Sequence, residues 1–121
     1  MSGLQNNINE KRIYSLIGLA QKAGSVKAGE FQTEKYVKSG QANLIIVAGD
    51  ASDNTKKKFR NMAEFYKVPF FTFGNREDLG KSIGCEFRAS LAVLNQGLAD
   101  KIINELTQFG GNLQDGQNEN L

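Results

Sequence analysis

Helical spacing of apolar residues, together with capping residues and glycines, predicts five helices. The clearest segment covers residues 10–23, where Ile13, Ile17 and Ala20 would share one face. The second, third and fourth helices are predicted to begin after Gly29, Ser52 and Asn75, respectively. The fifth includes residues 98–106. Ser and Asn are favoured N-cap residues, which supports two of these starts.

Short continuous apolar runs separate the helical segments and predict strands. Three runs are clear and lie within NLIIVAGD, VPFFTFG and FRASLAVL, and a shorter candidate is SVKA. Apolar runs of this length, rich in β-branched and aromatic residues, are typical of strands buried on both faces. The alternation predicts an α/β fold, a three-layer α/β/α sandwich with a mostly parallel four-stranded mixed sheet.

The 121 residues suit a single domain, which we predict over residues 9–109. The polar residues 1–8 and the Gly-, Asn- and Gln-rich residues 110–121 are expected to be disordered. The sequence lacks a long apolar run and an apolar N-terminal stretch, so neither a membrane span nor a signal peptide is expected. The single Cys85 fits a reducing, cytoplasmic location.

Composition excludes several kinds of chemistry. The chain has no His and only one Cys, which argues against zinc and haem sites and rules out Ser–His and Cys–His nucleophile pairs. We therefore expect no metal and no cofactor. Residues 1–94 carry 14 Lys and Arg against 9 Asp and Glu, a balance that slightly favours a polyanionic partner.

Ligands of helix-covered sheets gather at strand ends and helix N-termini. This rule selects three loops, at residues 28–32, 49–54 and 73–76, and a fourth loop at 84–88 joins a helix to a strand. In the first, Gly29 permits positive φ, and the N–H groups that follow are free to meet a phosphate or a base edge. Phe31 would either pack into the core or stack on a ligand, and the residues alone leave both alternatives open.

The sequence GNREDLGKS at residues 74–82 resembles a phosphate-binding P-loop only superficially. It has five residues between its glycines where a P-loop has four, and Glu77 and Asp78 would repel phosphate. We interpret it as an amphipathic helix whose Leu79 and Ile83 face inward. The acidic residues near Asp50 are explained by turn formation and capping, so no catalytic set is predicted.

Several separated blocks together resemble the kink-turn RNA-binding ribosomal-protein family, and within it the small bacterial YlxQ-type members. The blocks are GLAQKAG, VKAGEFQTEKYVKSGQANLIIVAGDASDNTKKKF and VPFFTFGNREDLGKSIG. In that family the turn reads Gly, any residue, Asn, Glu, and then Lys three residues after the Glu. The Asn and the Glu contact sheared G·A pairs of a sharply bent RNA.

Gly29 and Lys35 match this pattern, whereas Phe31 replaces the Asn and Gln32 replaces the Glu. Gln32 keeps an acceptor but loses the charge, and Phe31 can only stack or make apolar contacts. The resemblance therefore implies RNA binding through this face and leaves kink-turn specificity open. It also implies a second contact loop at residues 85–88.

The resemblance implies a non-enzymatic protein that binds structured RNA, including ribosomal RNA, and we expect it to be a monomer without a membrane partner. The expected RNA contacts are Gly29, Glu30, Phe31, Gln32, Lys35, Asn75, Arg76, Phe87 and Arg88. The alternative is a protein-interaction module on the same fold with a decayed RNA site. A small-molecule enzyme is the third hypothesis.

Overall fold

The computed structural model describes residues 2–110. Within this range the chain alternates five helices and four strands, in the predicted order. They are α1 (Ser2–Lys22), β1 (Val26–Ala28), α2 (Glu30–Lys38), β2 (Leu44–Val47), α3 (Asp53–Tyr66), β3 (Phe70–Thr72), α4 (Arg76–Ser82), β4 (Ser90–Val93) and α5 (Gln96–Gln108). Helices α1 and α5 pack together on one face of the sheet, with α4 against α1, and α2 and α3 cover the other face. The α/β/α layers are therefore confirmed.

Helix α1 begins at Ser2, eight residues before its predicted start at Glu10, in a segment expected to be disordered. Asn9 is buried four residues before the buried Ile13, so the inward face continues through a polar residue that apolar periodicity does not count. Adding a turn to an existing helix costs less than nucleating a new one, which lets residues of modest helix propensity join it. At the other end of the chain, the predicted disordered tail lies, apart from Gly110, outside the described residues.

The sheet differs from the predicted, mostly parallel arrangement. Its strand order is β1-β4-β2-β3, and β4 pairs antiparallel with both β1 and β2. Among the described strands only β2 and β3 form a parallel pair. The prediction was wrong because α4 packs mainly against α1, so the chain stays at the end of the sheet where β3 stops. It then re-enters the sheet in the opposite direction, and the alternation of helices and strands does not indicate that direction.

The direction of β4 brings the four candidate loops together. In the strand register Ala28 lies opposite Leu91, and Val47 lies opposite Ser90. The start of β4 therefore lies at the same end of the sheet as the ends of β1, β2 and β3. A parallel β4 would have placed the loop at residues 84–88 at the opposite end.

The core lies on both faces of the two central strands, β2 and β4, whose residues are all buried. Ile13 and Ile17 cover one face from α1, and Phe59 covers the other from α3. Full burial of one such side chain contributes about 1.5–3 kcal/mol. This packing gives the end of the sheet a rigid base.

Candidate nucleic-acid interface

Backbone hydrogen bonds join the four loops into one continuous surface. The N–H of Gly29 donates to the carbonyl of Ser90 (2.9 Å), and the N–H of Ala48 donates to the carbonyl of Ala89 (2.8 Å). The N–H of Gly49 in turn donates to the carbonyl of Gly74 (2.8 Å). Because each loop is anchored to another, the backbones of the four loops are held close together at this end of the sheet.

Gly29 begins the surface at the N-terminus of α2. Its φ of 96° and ψ of 159° form a backbone conformation that strongly favours glycine. A Cβ at this position would meet no atom within 4 Å, so the conformation rather than crowding requires glycine. The space beside the turn is open to a ligand.

The start of α2 differs from the starts of the three later helices. Ser52, Asn75 and Asn95 each accept a hydrogen bond from a backbone N–H three residues onward, and so cap α3, α4 and α5. No side chain caps α2, whose first internal hydrogen bond is donated by the N–H of Thr33. The N–H groups of residues 30–32 therefore lack an intrahelical acceptor, as expected of a first helical turn. Without a side-chain cap they can meet an anion.

Phe31 lies on the surface, so the alternative that it packs into the core is wrong. Its side chain is 73% exposed, and the inward positions of α2 are instead the buried Thr33 and Val37. The hydroxyl of Ser90 donates to Thr33 Oγ1 across 3.2 Å inside the protein. This contact holds the first turn of α2 on β4, while Phe31 projects outward.

Phe87 is the second exposed aromatic ring at this end, with 63% of its surface accessible. Its loop packs directly on α4 at Gly80, where a Cβ would overlap the carbonyl oxygen of Glu86. The N–H of Cys85 also donates to the carbonyl of Gly80 (2.8 Å). Gly80 therefore permits the close approach that positions Phe87.

Two arginines lie between Phe87 and the loop after β2. The backbone N–H of Arg76 donates to Asp50 Oδ1 (2.9 Å), and its Nε lies 3.5 Å from Asp50 Oδ2. The N–H of Arg88 donates to the carbonyl of Arg76 (3.0 Å), and its guanidinium donates to the carbonyl of Phe87 (2.8 Å). The structure thus brings both arginines together, and Asp50 partly neutralises one of them.

The remaining expected contacts have different surroundings. The side-chain oxygen of Asn75 accepts the N–H of Asp78 (2.8 Å), and its amide donates to the Asp78 carboxylate (3.1 Å). Asn75 therefore serves as the predicted cap and has little freedom for a ligand. Gln32 is half-buried and Lys35 is exposed.

Glu30 is paired within the protein. Lys58 Nζ lies 2.7 Å from Glu30 Oε2 and 2.8 Å from Glu34 Oε1, and Lys38 Nζ lies 2.7 Å from Glu34 Oε2. Hydrogen bonds from Lys38 and Lys58 lower the pKa of Glu34 to about 2. This network joins α2 to α3 and neutralises the carboxylate nearest the open turn.

Sequence reasoning overlooked the contacts that build this surface. Nothing in the pattern marked Thr33 and Ser90 as buried, because hydroxyl residues are common on helix surfaces and at strand ends. The sequence also does not identify Glu86 as the packing partner of Gly80. Both contacts depend on how β4 enters the sheet.

An open pocket of about 460 Å³ lies elsewhere, between α1 and α4. Its lining includes charges of both signs, from Glu10, Lys11, Asp78 and Lys81. None of the expected RNA contacts lines it, so it is separate from the surface at the end of the sheet. Within residues 2–110 no helix is both long and apolar enough to cross a bilayer. The same residues contain no group of three potential metal-binding side chains.

Comparison with known proteins gives a consistent result. Residues 11–103 match the ribosomal protein L7Ae/L30e/S12e/Gadd45 family. The RNA-binding protein YlxQ of Bacillus subtilis is 41% identical over 93 residues, which cover 77% of this chain and 93% of that protein. The protein of the same name from Enterococcus faecium is 34% identical over 96 residues, which cover 79% of this chain and 92% of that protein.

A solved structure of a Bacillus halodurans protein with unknown function has the same fold. It is 36% identical, with a TM-score of 0.76, and the match covers 78% of this chain and 96% of that chain. The family match spans more than half of the chain and includes all four loops at the end of the sheet. The chain therefore belongs to the ribosomal protein L7Ae/L30e/S12e/Gadd45 family.

Proposed function

We propose that this protein is a non-enzymatic, monomeric RNA-binding protein of the cytoplasm. It docks ribosomal or other structured RNA on the end of the sheet where the four loops meet. The ribosomal family and the two relatives named as RNA-binding proteins support an RNA partner. The uncapped start of α2 at Gly29 is the observation that carries the proposal, because the other strand-to-helix turns at this end are closed by Ser52 and Asn75.

Each group on the surface has a role in this proposal. The N–H groups after Gly29 meet phosphate oxygens or base edges, and Lys35, Arg76 and Arg88 supply positive charge. Phe31 and Phe87 present rings to unpaired bases. Stacking of one base on one aromatic ring contributes about 1–3 kcal/mol.

The side chains at positions 31 and 32 suggest how the RNA is selected. Phe31 has no polar atom to read a base edge, and the amide of Gln32 carries no charge. We therefore propose that this protein recognises a bent, partly unpaired RNA mainly through shape and stacking. Its preference for a kink-turn over a plain duplex should then be weaker than that of an Asn–Glu turn.

A titration against a kink-turn RNA and a duplex of the same length, at two salt concentrations, tests the site. Gln32→Ala and Lys35→Ala should each weaken kink-turn binding. Loss of the Lys35 phosphate contact should reduce the magnitude of the slope of log K against log[salt] by about 0.7–0.9. The control is Lys101→Ala, since Lys101 is exposed on α5 and carries the same charge.

A gain-of-function variant gives the sharper test of specificity. Phe31→Asn with Gln32→Glu restores the Asn and Glu of the family turn, and should increase the preference for the kink-turn. If Gln32→Ala and Lys35→Ala both bind like Lys101→Ala, this end of the sheet is not the RNA site. If the unmodified protein binds neither RNA at low salt, the proposed function is wrong.

The second candidate function is a protein-interaction module on the same surface. The observation that favours it is the pair of largely exposed apolar rings, Phe31 and Phe87, at one end of a rigid sheet. This candidate predicts that Phe31→Ser abolishes a protein contact. It also predicts that no structured RNA binds at low salt.

A further inference from the structure

Two lysines converge on one tyrosine ring beside the Gly29 turn. Lys27 Nζ lies 5.1 Å from the ring centroid of Tyr36, and Lys35 Nζ lies 5.7 Å from the same centroid. Both distances fall within the range of a cation–π contact, about 6 Å. We call Lys27, Lys35 and Tyr36 the edge patch. Lys35 is an expected RNA contact, whereas Lys27 and Tyr36 are new.

The edge patch is basic and lacks an acidic partner. Lys38, Lys58 and Lys81 each form an ion pair with a glutamate. No carboxylate among the described side chains pairs with Lys27 or Lys35. The ring of Tyr36 contacts both ammonium groups but adds no negative charge, so no carboxylate in the described part of the chain compensates these two charges. A phosphate beside either lysine would supply the missing negative charge.

The position of the edge patch links it to the loop surface. Strand β1 lies at the edge of the sheet and pairs only with β4 among the described strands. Lys27 is in β1, which ends at Ala28, and the Gly29 turn follows directly. Tyr36 is seven residues beyond Gly29 in α2, about 10 Å along the helix axis. The edge patch therefore lies where α2 packs over the edge strand, next to the Gly29 turn.

We propose that the edge patch binds the phosphodiester backbone of the same RNA that the Gly29 turn engages. This inference rests on the proposed function and extends its interface beyond the loops. The two ammonium groups pair with consecutive phosphates, and the Tyr36 ring holds both lysines in place. Because phosphate contacts carry no sequence information, the edge patch contributes affinity without selecting the RNA.

A lysine on an edge strand has another use, since its charge discourages pairing with a strand of a second chain. That use predicts no effect on RNA binding. The two roles of Lys27 are therefore separated by the salt dependence of RNA affinity, which changes only if Lys27 contacts a phosphate.

The test compares Lys27→Ala, Lys27→Arg and Tyr36→Leu with the control Lys101→Ala, using the kink-turn and duplex RNAs. Circular dichroism first establishes that each variant is folded. Lys27→Ala should lower the slope of log K against log[salt] by about 0.7–0.9. This corresponds to about five- to eightfold weaker binding near 0.1 M salt, by the same relation. Lys27→Arg should keep the slope of the unmodified protein, and Tyr36→Leu should weaken binding to both RNAs.

The ratio of the two affinities separates this inference from the proposed function. Lys27→Ala should leave the kink-turn-to-duplex ratio unchanged, whereas Gln32→Ala should change it. If RNA binds and Lys27→Ala behaves like Lys101→Ala, the edge patch is refuted and the loop site stands. If the unmodified protein binds neither RNA, both proposals fail together.

Discussion

The buried hydroxyl pair under the Gly29 turn supports a quantitative prediction. Thr33 and Ser90 are both buried, and the Ser90 hydroxyl donates to Thr33 Oγ1 at 3.2 Å. Ser90→Ala leaves the Thr33 hydroxyl without this donor, and Thr33→Val leaves Ser90 without its acceptor. An unsatisfied buried polar group costs about 1–3 kcal/mol, so each single variant should lose that much free energy of unfolding.

The double variant distinguishes this mechanism from simple loss of packing. With both hydroxyls replaced by apolar groups, only the net value of one hydrogen bond is lost, about 0.5–1.5 kcal/mol. The double variant should therefore be less destabilised than the two single variants added together. The difference is a coupling free energy of about 0.5–3 kcal/mol for residues in contact.

Urea denaturation followed by circular dichroism measures the free energy of unfolding of the unmodified protein, the two single variants and the double variant. Equal m-values would show that the unfolding transitions are comparable. Additive destabilisation within about 0.3–0.5 kcal/mol would refute the reasoning, because independent sites behave in that way. A coupled result would show that the first turn of α2 is held on β4 by this contact. The position of Phe31 depends on that turn.

Other contacts give further measurable outcomes. Gly80→Ala should destabilise the protein by about 1–3 kcal/mol, because a Cβ does not fit unless the loop carrying Phe87 moves. Gly97→Ala is its control, since its Cβ would meet only the end of a side chain at 3.3 Å, and equal urea midpoints would contradict the prediction. Ser52→Ala should lower the free energy of unfolding by about 0.5–2 kcal/mol through loss of the α3 cap. An unchanged urea midpoint would show that the cap is not formed in solution. The two lysines beside Glu34 lower its pKa from 4.5 to about 2, so it stabilises the folded state above pH 4.5 and loses this contribution as the pH falls toward 2. Glu34→Gln should flatten the acid side of the stability profile in this window, and an unaltered profile would argue against the ion pairs.

The local features of the fold could be predicted because their signals are contained within a few residues. The caps at Ser52 and Asn75 accept hydrogen bonds from N–H groups three residues onward, so both partners belong to one short segment. The inward positions of Leu79 and Ile83 follow from helical spacing in the same way, and both are buried. The open turn at Gly29 was visible because positive φ favours glycine.

The candidate surface could be predicted only in part. The residues of each loop were identifiable, but their meeting at one end depends on the direction of β4, which the packing of α4 against α1 determines. The outward direction of Phe31 depends likewise on Thr33, whose hydroxyl accepts a hydrogen bond inside the protein from Ser90, 57 residues away along the chain. Periodicity alone did not indicate which of Phe31 and Thr33, in the same helical turn, faces inward.

Local sequence patterns specify the order of helices and strands, the starts of α2, α3 and α4, and the glycine turn, because burial patterns and caps act over one or two helical turns. The packing of one element on another sets the strand direction, the contact of Gly80 with its loop and the approach of Lys27 to Tyr36. Each of these features joins separate helices, strands or loops. Their geometry follows from which surfaces pack together, and a local pattern does not specify that.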